Sequence, residues 1–423
     1  MTHLVTIWDA GGSVPPELAL VRGLVQRGHD TVVLAGPPLR PAVEAAGATF
    51  RPWRDVPHRA DPRDPDPFDD TGLSGPRVVR LLLDRVAAGP AGVYAREVTE
   101  AIEAHDCDVV VSSMLMLGAV AAAEARGIPA AVMVPNCYLV PTPGMPPFGT
   151  AWPPPRGPLG RARTGALNLV ATRLWDQGLR PLNDARDALG LHPLRHLFDQ
   201  HRAADRVLVL TSRAFDFPAR LPANVRYVGP QLDDPHWAAA ADDPLPPGDD
   251  PLVLVSTSTT DMGQVDLLRR IVAALDRLPV RGLVTTGPAV EAAAVPSTAR
   301  VVVRPAAPHR RVLPHASAVI SHGGHGTVIK ALAAGLPQLV IPLGRDQPNN
   351  AARVTHHGVG LRLRPQDPAD VIAAAVGRLL DDDGIARRAG DLGATVRAEG
   401  THSTAVDQLE ALARQPEHGE VGR

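Results

Sequence analysis

One unit recurs along this chain and constrains it more than anything else: a short apolar run, a turn of glycine and hydroxyl residues, then apolar positions three and four apart. Residues 4–8 form the first run, which ends in Asp9-Ala-Gly-Gly-Ser13, and Pro15-Pro16 opens a segment with Val14, Leu18, Val21 and Val25 on one stripe. Strand, glycine turn and helix follow, because proline is tolerated where helix N–H groups have no intrahelical partner. Arg27-Gly28 offers a left-handed helix stop before a second strand over 31–35. A strand over 109–112, a helix over 118–126 and a strand over 130–134 continue the alternation. Strands alternating with helices predict an α/β chain whose parallel sheet is buried on both faces.

The stretch 230–250 breaks the pattern with Asp-Asp-Pro-His-Trp, an alanine run and Asp-Asp-Pro-Leu-Pro-Pro-Gly-Asp-Asp. That composition suits an exposed linker. Beyond it the pattern restarts, with strands expected at 252–255, 282–285, 301–303, 318–320 and 339–341 and helices at 265–278 and 326–334. The expected organisation is an N-terminal domain over 1–235, a linker over 236–250 and a C-terminal domain over 251–400. A last helix and tail over 401–423 are expected to pack back on the N-terminal domain. Proline-rich segments at 52–67 and 141–158 read as long loops.

With 423 residues, two domains have room for substantial cores. Basic and acidic residues nearly cancel, 43 against 45, which argues against a general nucleic-acid or membrane-surface binder. A single lysine, Lys330, stands among those cations. Two distant cysteines, Cys107 and Cys137, form neither a CxxC motif nor a disulfide framework, and the short apolar start lacks a basic leader, so a reduced cytoplasmic protein is expected.

In doubly wound sheets ligands bind beyond the carboxyl ends of strands. The strongest such turn is Ser321-His-Gly-Gly-His-Gly-Thr327, followed by the helical stripe of Val328, Ile329 and Leu332. Glycines let backbone approach an anion, and a helix N-terminus supplies unpaired N–H groups with partial positive charge. Hydroxyl-rich strand ends at Thr257 and Ser258, and at Thr286 before Gly287, converge on the same edge. A phosphate or diphosphate fits there.

The block Pro308-His309, Ser321 to Thr327, Gly335-Leu-Pro337 and Pro342-Leu-Gly-Arg-Asp346-Gln347-Pro-Asn-Asn-Ala351 resembles the donor signature of family 1 glycosyltransferases, above all those acting on actinomycete antibiotics and macrolides. The resemblance implies the GT-B fold, two Rossmann-like αβα domains facing each other across a cleft. It also implies a nucleotide sugar on the C-terminal domain and an acceptor on the N-terminal one. By position, His322, Gly323, Gly324, Gly326 and Thr327 would hold the diphosphate, Ala307 and His309 would line the base pocket, and Asp346 with Gln347 would bind sugar hydroxyls. Thr257, Ser258, Thr286 and Gly287 complete the expected donor set.

Three departures matter. Ala306 stands where plant members have a base-stacking tryptophan. Lys330 replaces a ribose-binding glutamate, which leans towards a dTDP donor lacking the 2′-hydroxyl; the competing reading is a solvated helix residue. In catalysis, the family's loop histidine and its partner aspartate are replaced by Ser13 and Ser113. Serine near its free pKa cannot accept the acceptor proton. Either the acceptor needs no strong base, or Asp9 or His58 acts, or the protein binds without turnover.

Met114, Met116, Met145 and Phe148 are the candidate acceptor contacts, with core or lid packing as the competing reading. Asp64-Pro-Asp66 and Asp106-Cys-Asp108 read as solvated carboxylates, and no metal site and no cofactor beyond the nucleotide sugar are expected. The expected partners are a dTDP- or UDP-sugar and a small hydrophobic aglycone, with inversion at the anomeric carbon. Nucleic acid and membrane are not expected, while a homodimer and a helper protein stay open. Acceptor-independent nucleotide-sugar chemistry is the other enzymatic alternative.

Overall fold

The computed structural model describes residues 1–9, 11–58, 76–234, 238, 245–288 and 290–414. Asp64, Asp66, much of the expected linker and the tail beyond 414 lie outside the described residues.

Two parallel sheets organise the chain. The first contains β1 (Thr2–Thr6), β2 (Asp30–Ala35), β3 (Thr49–Pro52), β4 (Val109–Ser113), β5 (Ala130–Val134), β6 (Arg206–Val209) and β7 (Val225–Tyr227), ordered β3-β2-β1-β4-β5-β6-β7. The second contains β8 (Leu252–Ser256), β9 (Arg281–Thr285), β10 (Val301–Arg304), β11 (Ala316–Ser321), β12 (Gln338–Val340) and β13 (Gly360–Arg362), ordered β10-β9-β8-β11-β12-β13. Each order reverses direction once, between β1 and β4 and between β8 and β11. These are the switch points where doubly wound sheets open a ligand crevice.

The central strands β4, β5 and β8 are buried along their whole length, as expected when helices cover both faces. On one side of the first sheet lie α1 (Val14–Gln26) and the last helix of the chain; on the other lie α2 (Ala91–His105) and α3 (Leu117–Ala125). The exposed α4 (Gly157–Trp175) follows the proline-rich loop. The second sheet carries α5 (Val265–Leu275), α6 (His325–Ala333), α7 (Gln347–His356) and α8 (Asp383–Thr401). Observed ends differ from the sequence reading by one to three residues, the usual uncertainty of fraying termini.

The last helix, α9 (Ala405–Ala413), leaves the second sheet's helices and packs on α1: Leu409 and Leu412 enter the first domain's core. Arg27 and His29 hold its Glu410, at 3.1 and 3.0 Å. Gly229 admits this crossing, since a Cβ there would lie 2.1 Å from the Glu399 carbonyl.

Candidate active site

The turn after β11 is built around two glycines that no other residue could replace without displacement. Gly323 has φ +93°, and a Cβ there would meet Val340 Cγ1 at 2.7 Å; one on Gly324 would meet His322 Nε2 at 2.5 Å. The His322 imidazole therefore lies against the Gly324 backbone at the start of α6. Gly324 caps that helix without a side-chain hydrogen bond, and a Cβ on Gly326 would touch nothing within 4 Å, so the first turn faces open space. Burial lowers the His322 pKa to about 4, opposed by a hydrogen bond to the Ser256 backbone, so the imidazole is neutral at physiological pH. An anion would meet backbone N–H groups, one imidazole and Thr327 here.

The second histidine of the motif does something else. His325 is buried against Phe215, 6.1 Å between ring centroids, and beside Cys137, both from the N-terminal half. It packs the two halves together. Asp346 is hydrogen-bonded by Asn350 at 2.9 Å, and enclosure raises its pKa. Gln347 is occupied: its Oε1 accepts from Leu343 and Gly344 N–H at 2.7 and 3.0 Å, so it braces the loop leading to Asp346.

Around this turn, Thr257 keeps a buried Oγ1 with no partner, whereas Ser258 and Thr260 bond one another at 3.1 Å. Thr286 is fully buried and turns its hydroxyl back to the Gly287 carbonyl. Gly287, at φ +72°, lets that loop pass Ser258. Ala307 is a core residue among Leu252, Leu254 and Val312, leaving only backbone for a base. Lys330 is not a solvated residue: it is 9% exposed and paired with Asp234 at 3.0 Å, and Asp234 also accepts the Arg310 N–H. The pair ties the segment before the linker to α6. Burial, and after it the Lys330 charge, push the His309 pKa down to about 4, against the opposing pull of Asp234.

Across the cleft stands the turn after β1. The Gly11–Ser13 turn approaches α6 to within 8 Å between Cα atoms, and a Cβ on Gly11 would lie 3.4 Å from Thr259 and Thr260. Asp9 spends a carboxylate oxygen on the Gly11 N–H at 3.4 Å, the geometry of an Asx turn. His58 is exposed beside Gly36, with Nδ1 2.7 Å from the Val56 carbonyl. Ser13 begins α1 without capping it. Ser113 is hydrogen-bonded to Glu17 at 2.7 Å, a buried partner that the sequence reading passed over. Its signal was present: Glu17 interrupts the stripe of Val14, Leu18 and Val21.

On the acceptor side the structure relocates the expected contacts. Met116 is wholly buried and Met114 nearly so, both in the first domain's core, and Met145 packs on Phe217 and Ala352. Their thioethers fill space between helices and sheet. Phe148, with Trp152 and Pro146, instead lines a cavity closed on its other side by Asp346, Asn349 and Arg353. That cavity joins the first domain's proline-rich loop to α7.

Beneath it lies another arrangement absent from the sequence reading. Asp216 accepts from Arg353 at 2.6 and 2.9 Å, from the Tyr227 hydroxyl at 2.6 Å and from the Tyr138 N–H at 3.0 Å, all in a buried setting. The Arg353 guanidinium also covers the Phe217 ring at 4.2 Å. Among the described residues no cluster of His, Cys, Asp or Glu is placed to hold a metal ion, and no helix is long and apolar enough to cross a membrane.

Residues 270–412 match the family described as erythromycin biosynthesis protein CIII-like, C-terminal domain. The 4'-demethylrebeccamycin synthase of Lentzea aerocolonigenes is 29% identical over 422 residues, covering 97% of this chain and 99% of that protein. Among solved structures, the glycotransferase of kitacinnamycin superposes with a TM-score of 0.76 at 23% identity over 97% of this chain and 98% of its own. The glycosyltransferase VinC, solved in complex with dTDP, superposes with a TM-score of 0.69 at 18% identity over 98% and 100%.

Proposed function

We propose that this chain, a glycosyltransferase of GT-B fold resembling those of antibiotic biosynthesis, moves a deoxysugar from a dTDP- or UDP-linked donor to a small hydrophobic acceptor with inversion. One observation carries the reading: the N-terminus of α6, capped by no side chain and with His322 against Gly324, faces the Gly11–Ser13 turn of the other domain across the cleft.

A diphosphate on α6 would present the anomeric carbon towards the cavity between Asp346 and the Phe148 loop. The acceptor oxygen attacks opposite the departing diphosphate, which is inversion by direct displacement. Backbone N–H groups and His322 stabilise the charge that develops on the leaving group. The two domains align the reactants and exclude water. Support for dTDP comes from the Lys330–Asp234 pair, which fills the position where plant members hold a ribose hydroxyl, and from the dTDP bound to VinC. The reading sets the reaction in the cytoplasm, without a metal ion.

The test is incubation with labelled dTDP- and UDP-sugars and a panel of hydrophobic phenols and alcohols, with and without EDTA. Acceptor-dependent nucleotide release, unchanged by EDTA, is the expected result. Release without acceptor would indicate hydrolysis or epimerisation. Binding without release would favour an auxiliary binding protein, the alternative that Ser13 and Ser113 motivate.

A further inference from the structure

The reaction proposed above releases a proton, and neither Ser13 nor Ser113 can keep it. Glu17 lies one helical turn after Ser13, at the i+4 position on the same face of α1. It is completely buried, one carboxyl oxygen 2.7 Å from Ser113 Oγ and the other without any partner. Ser113 ends β4, which pairs at the sheet's switch point with β1, the strand that leads into the turn approaching α6. A glutamine or an apolar residue would serve packing better than a half-satisfied carboxyl in an apolar layer, so the exception marks function.

We propose that Glu17 is the terminal proton acceptor of sugar transfer, reached through the Ser113 hydroxyl. The acceptor oxygen forms its bond to the anomeric carbon as the bond from that carbon to the diphosphate oxygen breaks, and the diphosphate leaves with the electron pair. The acceptor's proton passes to Ser113 Oγ while the proton of Ser113 passes to the Glu17 carboxylate. The resulting carboxylic acid returns its proton to water after the products leave. Glu17 acts through Ser113 and is therefore a positioning residue, with Ser113 the group that meets the acceptor. Burial raises the Glu17 pKa to about 8, opposed by the hydrogen bond from Ser113. Val14, Leu18 and Val21 of the same helix and Val111 of β4 belong to the first domain's apolar core, and among the described residues no charged side chain contributes to the shift.

The inference rests on the glycosyltransferase reading, and the experiment separates the two. Glu17→Gln keeps the shape and can still hydrogen-bond Ser113. Full-length wild type, E17Q and S113A are compared with dTDP-glucose and 4-methylumbelliferone, beside an aliphatic alcohol, while calorimetry follows dTDP binding. In E17Q, kcat should fall by about 10²–10⁴-fold with KM and dTDP affinity little changed, and the loss should be larger for the alcohol than for the acidic phenol. The wild-type rate should rise with pH through about 8, and that inflection should vanish in both variants.

E17Q should also gain melting temperature over wild type as pH rises from about 5 to 8, because the unfolded carboxyl ionises near 4.5 and the folded one near 8. Wild-type kcat and inflection in E17Q, or a retained inflection in S113A, would overturn the relay and leave the glycosyltransferase standing. No nucleotide binding by wild type would overturn both.

Discussion

The turn after β11 and the turn after β1 share one local plan, strand into glycine turn into helix, and differ in what the helix start offers. At α6 the first turn is glycine-rich and lined by a neutral histidine. At α1 the first turn carries Pro15 and Pro16, which have no N–H, and a buried carboxyl at Glu17. An anion finds donors at the first and a competitor at the second. A shared local plan thus presents two different chemistries, backbone donors at one turn and a buried carboxyl at the other.

Four measurements can break or sharpen that contrast. The largest effect is expected where the two halves of the chain are latched together: Arg353→Ala leaves the buried Asp216 carboxylate without its cation, and should lower unfolding free energy by about 3–5 kcal/mol in denaturant titration. Gly323→Ala should destabilise by about 1–3 kcal/mol and remove dTDP binding, since Cβ would clash with Val340 at positive φ.

His322→Ala should weaken dTDP binding by about 10- to 100-fold in calorimetry, the value of one hydrogen bond to a charged group, with little change in melting temperature. Gly12→Ala, where a Cβ meets nothing within 4 Å, should shift stability by less than about 0.5 kcal/mol. Equal nucleotide losses in Gly12→Ala and Gly323→Ala would erase the distinction between the turns.

Acid acts on both domains. His3 and His201 in one, and His322 and His325 in the other, have pKa values lowered to about 4 by burial. The unfolded chain takes up their protons near 6.5 while the folded one stays neutral. Stability should be full above about 6.5 and fall as pH drops towards 4, measured by melting temperature across that range.

The glycine-rich turn after β11 was legible because its parts are contiguous. A strand, Ser321 to Thr327 and an amphipathic helix form one local unit whose backbone dictates what it can hold. The division of labour within it was not legible. His322 and His325 look equivalent in sequence, yet one lies on the α6 N-terminus and the other beside Cys137, decided by which neighbour each turn of helix meets. Met114 and Met116 suggested an acceptor surface for the same reason: residue type shows apolarity, not whether it faces a core or a cleft.

By itself the sequence determined two parallel α/β sheets and the glycine-rich turns that follow their strands, since strand periodicity, glycine turns and helix starts are local properties. Only the tertiary structure decided the rest. Glu17 and Ser113 are 96 residues apart, and Asp216 and Arg353 are 137 apart. Each pair exists because packed layers bring distant segments within hydrogen-bond reach, and in a low-dielectric interior that proximity sets whether a carboxyl is an inert surface charge, a latch or a store for a proton.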